Sequence, residues 1–128
     1  LNRKVVQYNF LGIENEPYSL DHAIVLSSDN NNLKLLPFTN DFKPESDTTI
    51  CLGKISNFLN VDNDTFVESN CSVLLDKIIE VPKNKVRPIY KQDLDGSIIK
   101  DKNGDLVPVE INSQQYEYLA AKSNLFYA

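Results

Sequence analysis

The sequence predicts a mainly β, α+β fold: a compact, half-open antiparallel barrel followed by one C-terminal helix. Three observations predict it. Short apolar runs rich in Val, Ile and Leu recur through the first two-thirds of the chain with turn residues between them. Asn- and Gly-bearing turns stand where antiparallel neighbours need tight reversals. Helical spacing with a cap occurs only at the end of the chain, over residues 112–126.

The first run, Lys4 to Phe10, alternates apolar and polar residues and reads as a strand rather than as the continuous apolar core of a signal peptide. His22 to Ser28 and Leu33 to Thr39 are too short and too β-branched for helices. Asp29-Asn30-Asn31-Asn32 between them is a hairpin turn, since Asn and Asp tolerate left-handed backbone. A symmetric turn sets residue 22 opposite residue 39. Residues 40–62, with Pro44 and many Ser, Thr and Asp, read as a long loop feeding a helical turn or irregular strand near Gly53 to Leu59. Cys71 to Val81 reads as one apolar strand. Asp95-Gly96 and Asn103-Gly104 bracket Ser97 to Lys100, so 89–111 forms a small β meander. Asn112 precedes Gln115 at capping-box spacing, and Tyr116, Leu119, Ala120 and Leu125 fall near one helix face. No internal repeat or linker is legible, and the 128 residues form one domain.

Composition narrows the function classes. The apolar share of 41% suits a folded chain, and no run approaches the roughly 20 apolar residues of a membrane span. Net charge is −5 and the pI about 4.8, the wrong sign for general attraction to phosphate. Any nucleic-acid contact is therefore local, and the clustered cations are Arg3 and Lys4 with Lys83, Lys85, Arg87 and Lys91. Cys51 and Cys71 lie in apolar contexts that suit buried, reduced thiols, which predicts a cytoplasmic protein.

Residues 99–110 match a calcium loop at Asp101, Asn103, Gly104 and Glu110, but Ile99 supplies no first ligand and Pro108 breaks the following helix. A hairpin turn is the better reading, and no metal or cofactor is predicted. Phosphate loops, zinc spacings and nucleophile elbows are missing from the sequence. The residues left for chemistry are His22, the chain's one histidine, and Thr39, which the symmetric hairpin sets across from it.

Four stretches resemble the MazF/PemK family, the ribonuclease toxins of bacterial toxin–antitoxin pairs, which share a fold with the gyrase poison CcdB. Val5 to Phe10 with Gly12-Ile13-Glu14 resembles the family's first strand and following Gly-x-Glu. Ala23 to Leu26 resembles the strand after its Arg-Pro-Ala, and Leu35-Leu36-Pro37-Phe38-Thr39 the strand ending on a catalytic Thr. Ser72 to Val86, SVLLDKIIEVPKNKV, is the most specific. Together they cover residues 4–86, with the 89–111 meander as an elaboration.

The resemblance implies an SH3-like half-barrel, a homodimer, and metal-independent cleavage of single-stranded RNA by attack of the ribose 2′-OH on the adjacent phosphate. It implies an antitoxin whose acidic tail fills the RNA groove. Carried onto this sequence, it assigns catalysis to Thr39 and sets Glu14 at the RNA, while the clustered cations Arg3, Lys4, Lys83, Lys85 and Arg87 are the candidates for contact with RNA or with an acidic partner tail. The chain departs from the family where Asp21-His22-Ala23 replaces Arg-Pro-Ala, and where Ile79 replaces a basic residue. His22 then takes the acid/base role, since an imidazole with a pKa of about 6.5 exchanges protons at neutral pH. Two other readings stand beside this one: a catalytically inactive protein-binding member of the same fold, and an unrelated SH3-like adaptor using residues 40–58 as a peptide surface.

Overall fold

The computed structural model describes residues 3–8, 22–39, 44–54, 70–93, 95 and 97–124. Among these are seven strands: β1 (Val5–Gln7), β2 (His22–Ser28), β3 (Asn32–Thr39), β4 (Thr49–Lys54), β5 (Asn70–Leu74), β6 (Ile79–Pro82) and β7 (Arg87–Pro88). A helix, α1 (Ser113–Asn124), follows. The strands form an open antiparallel sheet in the order β4-β5-β3-β2-β1-β7, with β6 also paired to β3. The fold is therefore mainly β with one C-terminal helix, as the short apolar runs, their turns and the capped final segment predict. No described helix is long and apolar enough to cross a membrane.

The apolar runs are continuous because both faces of the sheet are covered. Alternate residues of β1 to β3 feed two cores. Val5, Ile24, Leu36 and Phe38 join Ile111 and Leu119 of the C-terminal segment on one face. Val6, Ala23, Val25 and Leu35 join Leu74 and Val81 on the other.

Two expectations about strands are corrected. Cys71 to Val81 is broken by a 3-10 turn at Leu75–Lys77, so β5 and β6 run one after the other along the same edge of β3, with Phe38 opposite Val73 and Leu35 opposite Ile79. The turn advances the register by three residues and sends Leu75 into the first core. Within the region read as a long loop, Thr49–Lys54 is a strand paired with β5. Its Thr-Ile-Cys-Leu alternation was masked by the polar residues around it.

Asp29 makes the β2–β3 turn as expected: its carboxylate accepts the N–H groups of Asn31 (2.9 Å) and Asn32 (2.7 Å). The symmetric register holds next to the turn, with Ser28 opposite Leu33 and Ser27 opposite Lys34. A β-bulge at Leu26 then consumes one residue of β2, and Val25 meets Leu35. The carbonyl that the bulge turns out accepts the Tyr116 hydroxyl of α1. The helix is capped where predicted, the Gln115 N–H donating to Asn112 Oδ1 at 2.9 Å.

The meander is an eight-residue repeat, contrary to the expectation of none. Asp93 Oδ1 accepts the N–H groups of Asp95 and Ser97, and Asp101 Oδ1 those of Asn103 and Asp105. The three strandlets that these turns connect close on themselves. Ile99 N–H donates to Lys91 O (3.0 Å), Val107 N–H to Ile99 O (3.3 Å) and Lys91 N–H to Val107 O (2.8 Å). Bridges Gln92–Ile98, Lys100–Leu106 and Tyr90–Pro108 repeat the same pairing around the ring. Only Asp and Gly recur strictly between the turns, so identity is too low to reveal the repeat by eye.

Candidate functional site

His22 begins β2 and stands in a cross-strand row with Gln7 of β1 and Phe38 of β3. Its ring lies 5.7 Å from the Phe38 ring, tilted by 34°. Thr39 follows Phe38 and so belongs to the opposite face. There it is 3% exposed and paired with Ser72, in a row that continues to Cys51, whose sulfur is 3.7 Å from Ser72 Oγ. The expected His22–Thr39 pair therefore does not form. The Leu26 bulge is the cause, since one extra residue exchanges the faces of everything beyond it.

The imidazole opens instead into a cleft of about 330 Å³ lined by Gln7, Pro88, Tyr90, Gln92 and Ile98. Cross-strand pairing explains Gln7, and the repeat supplies Tyr90, Gln92 and Ile98, the last two bridged to each other. Sequence reasoning missed these residues. The signal available was the eight-residue spacing of Tyr90, Ile98 and Leu106 across the two turns.

A second cavity, of about 570 Å³, lies on the other face of β1 and β7. Its walls include Val6, Leu33, Val86 and Leu106, and its charged residues are Lys4 and Lys83. Pro88 and Tyr90 line both cavities, so the edge strand β7 and the residue pair after it form the partition. Lys83 also faces Asp29, whose carboxyl is held below the usual range, first by the Asn31 and Asn32 amides and lastly by this lysine.

The remaining cations divide. Arg3 adopts a left-handed backbone (φ 76°), and its Nε donates to Ile111 O at 3.1 Å while Ile111 N–H donates to Arg3 O. That guanidinium ties the start of the chain to the segment before α1 and lines neither cavity. Lys85 is exposed, and Arg87 is exposed opposite Gln7. Ile79 is partly buried against the second core. Glu14 and Asp21 lie outside the described residues.

Neither cysteine is in a disulfide, but their surroundings differ. Cys71 is enclosed, and burial, followed by the charge of Cys51, pushes its thiol up to about 12. Cys51 is exposed, contrary to the expectation of two buried thiols. The stretch read as a peptide-contact loop contributes Glu45 and Ile50 to Leu52 to a third cavity, of about 390 Å³, against α1. Among the described residues, no group of three His, Cys, Asp or Glu side chains is placed to hold a metal ion.

Comparison with protein-family models, with curated proteins and with solved structures yields no match.

Proposed function

We propose that the chain is a toxin-like endoribonuclease of the MazF/PemK kind, cutting single-stranded RNA in the His22 cleft and neutralised by an antitoxin protein. The observation that carries this reading is that His22, although parted from Thr39, is set in an open cleft beside an aromatic ring and two amides. A base stacks on Tyr90, and Gln7 and Gln92 hydrogen-bond the phosphate or ribose. His22 takes the proton from the 2′-OH as that oxygen bonds to phosphorus. The bond from phosphorus to the 5′-oxygen breaks, the leaving oxygen takes a proton from solvent water, His22 releases its proton to the solvent, and a cyclic phosphate remains. Thr39 has a packing role in this scheme.

The test is cleavage of mixed-sequence single-stranded RNA by purified protein, free of antitoxin, in the presence of a chelator. His22→Ala should lower the rate by about 10²- to 10⁴-fold, the contribution of a positioned proton-transfer group. Thr39→Ala should leave the rate of the folded protein close to that of wild type. Wild-type protein that leaves the RNA intact would overturn the catalytic reading.

A second reading is a binding protein of the same fold without catalysis. The separation of His22 from Thr39 and the net charge of −5 favour it, and it takes over if no cleavage is found.

A further inference from the structure

We propose that the larger cavity, between β1, β7 and the repeat ring, binds a small amphiphilic monoanion: an unbranched aliphatic carboxylate whose tail lies on the apolar floor and whose head meets Lys4 and Lys83. This site lies across the Tyr90 partition from the His22 cleft and does not depend on whether that cleft cuts RNA.

Strand pairing gives the cavity a polar end. The Val25 N–H donates to Lys4 O at 2.9 Å, so β1 enters the sheet beside the far end of β2. β6 leaves the sheet at the start of β3, where Pro82 pairs with Asn32 and the Lys83 N–H donates to Asn31 O at 2.9 Å. β2 ends and β3 begins at the Asp29 turn, so both lysines stand at that one end of the sheet. Among the described lining residues, they alone carry charge.

The rest of the lining suits a hydrocarbon tail. Val6 and Leu33 belong to the second core and Val86 packs against it, so a tail laid on this floor extends a core that already exists. Leu106 lines the cavity while 38% exposed, which leaves apolar surface for a tail to cover. The volume of about 570 Å³ is that of a small-molecule site, within the roughly 300–1,000 Å³ that such sites span.

Charge then selects the head. Asp29, held low first by its turn amides, also feels Lys83, and Glu110 is bridged to Lys4; neither acid lines the cavity. Each lysine thus has an acid for a neighbour, which leaves room for one added negative charge and penalises a second. A phosphate monoester, at about −1.5 to −2 near neutral pH, is therefore a poorer fit than a carboxylate. No arginine among the described lining residues offers the fork that would favour phosphate. An aliphatic amine is repelled by the lysines themselves.

The test is calorimetric titration of the full chain with octanoate below its micelle concentration. Binding should saturate at one molecule per chain, acetate should show none, and each CH₂ added between hexanoate and octanoate should tighten it about fourfold. Octylamine and octyl phosphate should each bind at least about tenfold more weakly. Lys83→Glu and Leu106→Asp, whose folding is checked by circular dichroism and melting temperature, should each weaken octanoate about tenfold or more. Lys83→Glu should also bring octylamine level with octanoate or above it, a reversal that mere destabilisation cannot produce. Tyr118→Ala, at the third cavity, should leave octanoate binding unchanged. No saturable binding at millimolar octanoate, binding indifferent to Lys83→Glu and Leu106→Asp, or equal binding of octylamine by the wild-type chain overturns the proposal. So does a peptide of alternating Glu and Leu, or oligouridylate, that binds where octanoate does not, since the cavity would then belong to a macromolecule.

Discussion

At the scale of single residues, burial rather than residue type decides chemistry. Cys71 and Cys51 lie on paired strands, yet one thiol is enclosed and the other open. The unfolded chain ionises Cys71 from about pH 9, while the folded chain holds the proton to about 12. A raised thiol pKa means that the folded state prefers the neutral form. Its contribution to stability is complete below pH 9 and falls as pH rises toward 12, by up to about 1.4 kcal/mol per pH unit. Chemical denaturation from pH 8 to 10.5 should therefore show a steeper loss in wild type than in Cys71→Ala, whose fixed cavity cost does not vary with pH. A thiol reagent at pH 8 should modify one cysteine per native chain and two in denaturant; two in the native chain would contradict the enclosure of Cys71. Little of this was legible in sequence, because both cysteines have apolar neighbours and only the strand pairing says which way each one faces.

At the scale of elements, legibility follows how local the determining interactions are. The Asp29 turn and the Asn112 cap are satisfied within three residues, and the sequence placed both. The Leu26 bulge is fixed by Tyr116, 90 residues away, and nothing in Val25-Leu26-Ser27 announces it. That bulge alone sets His22 opposite Phe38 instead of Thr39. The repeat ring sits between these cases: its turns were predicted, its closure was not, since three strandlets that each pair with two neighbours require all three to be present. Its geometry makes a specific prediction. Lys91 donates to Val107 and accepts from Ile99, one bond to each. Deleting the eight residues 93–100 brings Val107 to the position of Ile99, so one ordinary antiparallel pair satisfies both bonds of Lys91 around the Asp101 turn. That deletion should fold cooperatively and lose no more than about 1 kcal/mol, about 4 °C in melting temperature. Deleting residues 93–99 leaves one residue too many in the turn and should cost clearly more. Equal melting temperatures for the two deletions would show that the ring's register does not matter.

At the scale of the whole molecule, the strands β1 to β3 are covered on both faces, and the sheet ends at one edge on the two-residue strand β7, where the His22 cleft and the lysine-bearing cavity meet. The mainly β architecture was legible because short, β-branched apolar runs separated by turn residues determine it. The cavities were not, because each is built from β1, β7 and the ring, elements that approach one another only through the full strand order. Tyr90 is the partition common to both. Its neighbours divide by face: Ile98 lines only the His22 cleft, and Leu106 only the lysine-bearing groove. If the His22 cleft serves RNA, three substitutions separate by face. Ile98→Ala should weaken RNA cleavage, and Leu106→Asp, on the other side of the partition, should leave it at the wild-type level. Tyr90→Ala should lower cleavage by about tenfold, since a lost stacking ring costs about 1–3 kcal/mol per base. Melting temperature identifies any variant whose loss is one of folding, because a destabilised chain loses its activity and its transition together. A folded Tyr90→Ala chain that cleaved RNA at the wild-type rate, or a folded Leu106→Asp chain that lost cleavage, would show that the site is not confined to the His22 side of the partition.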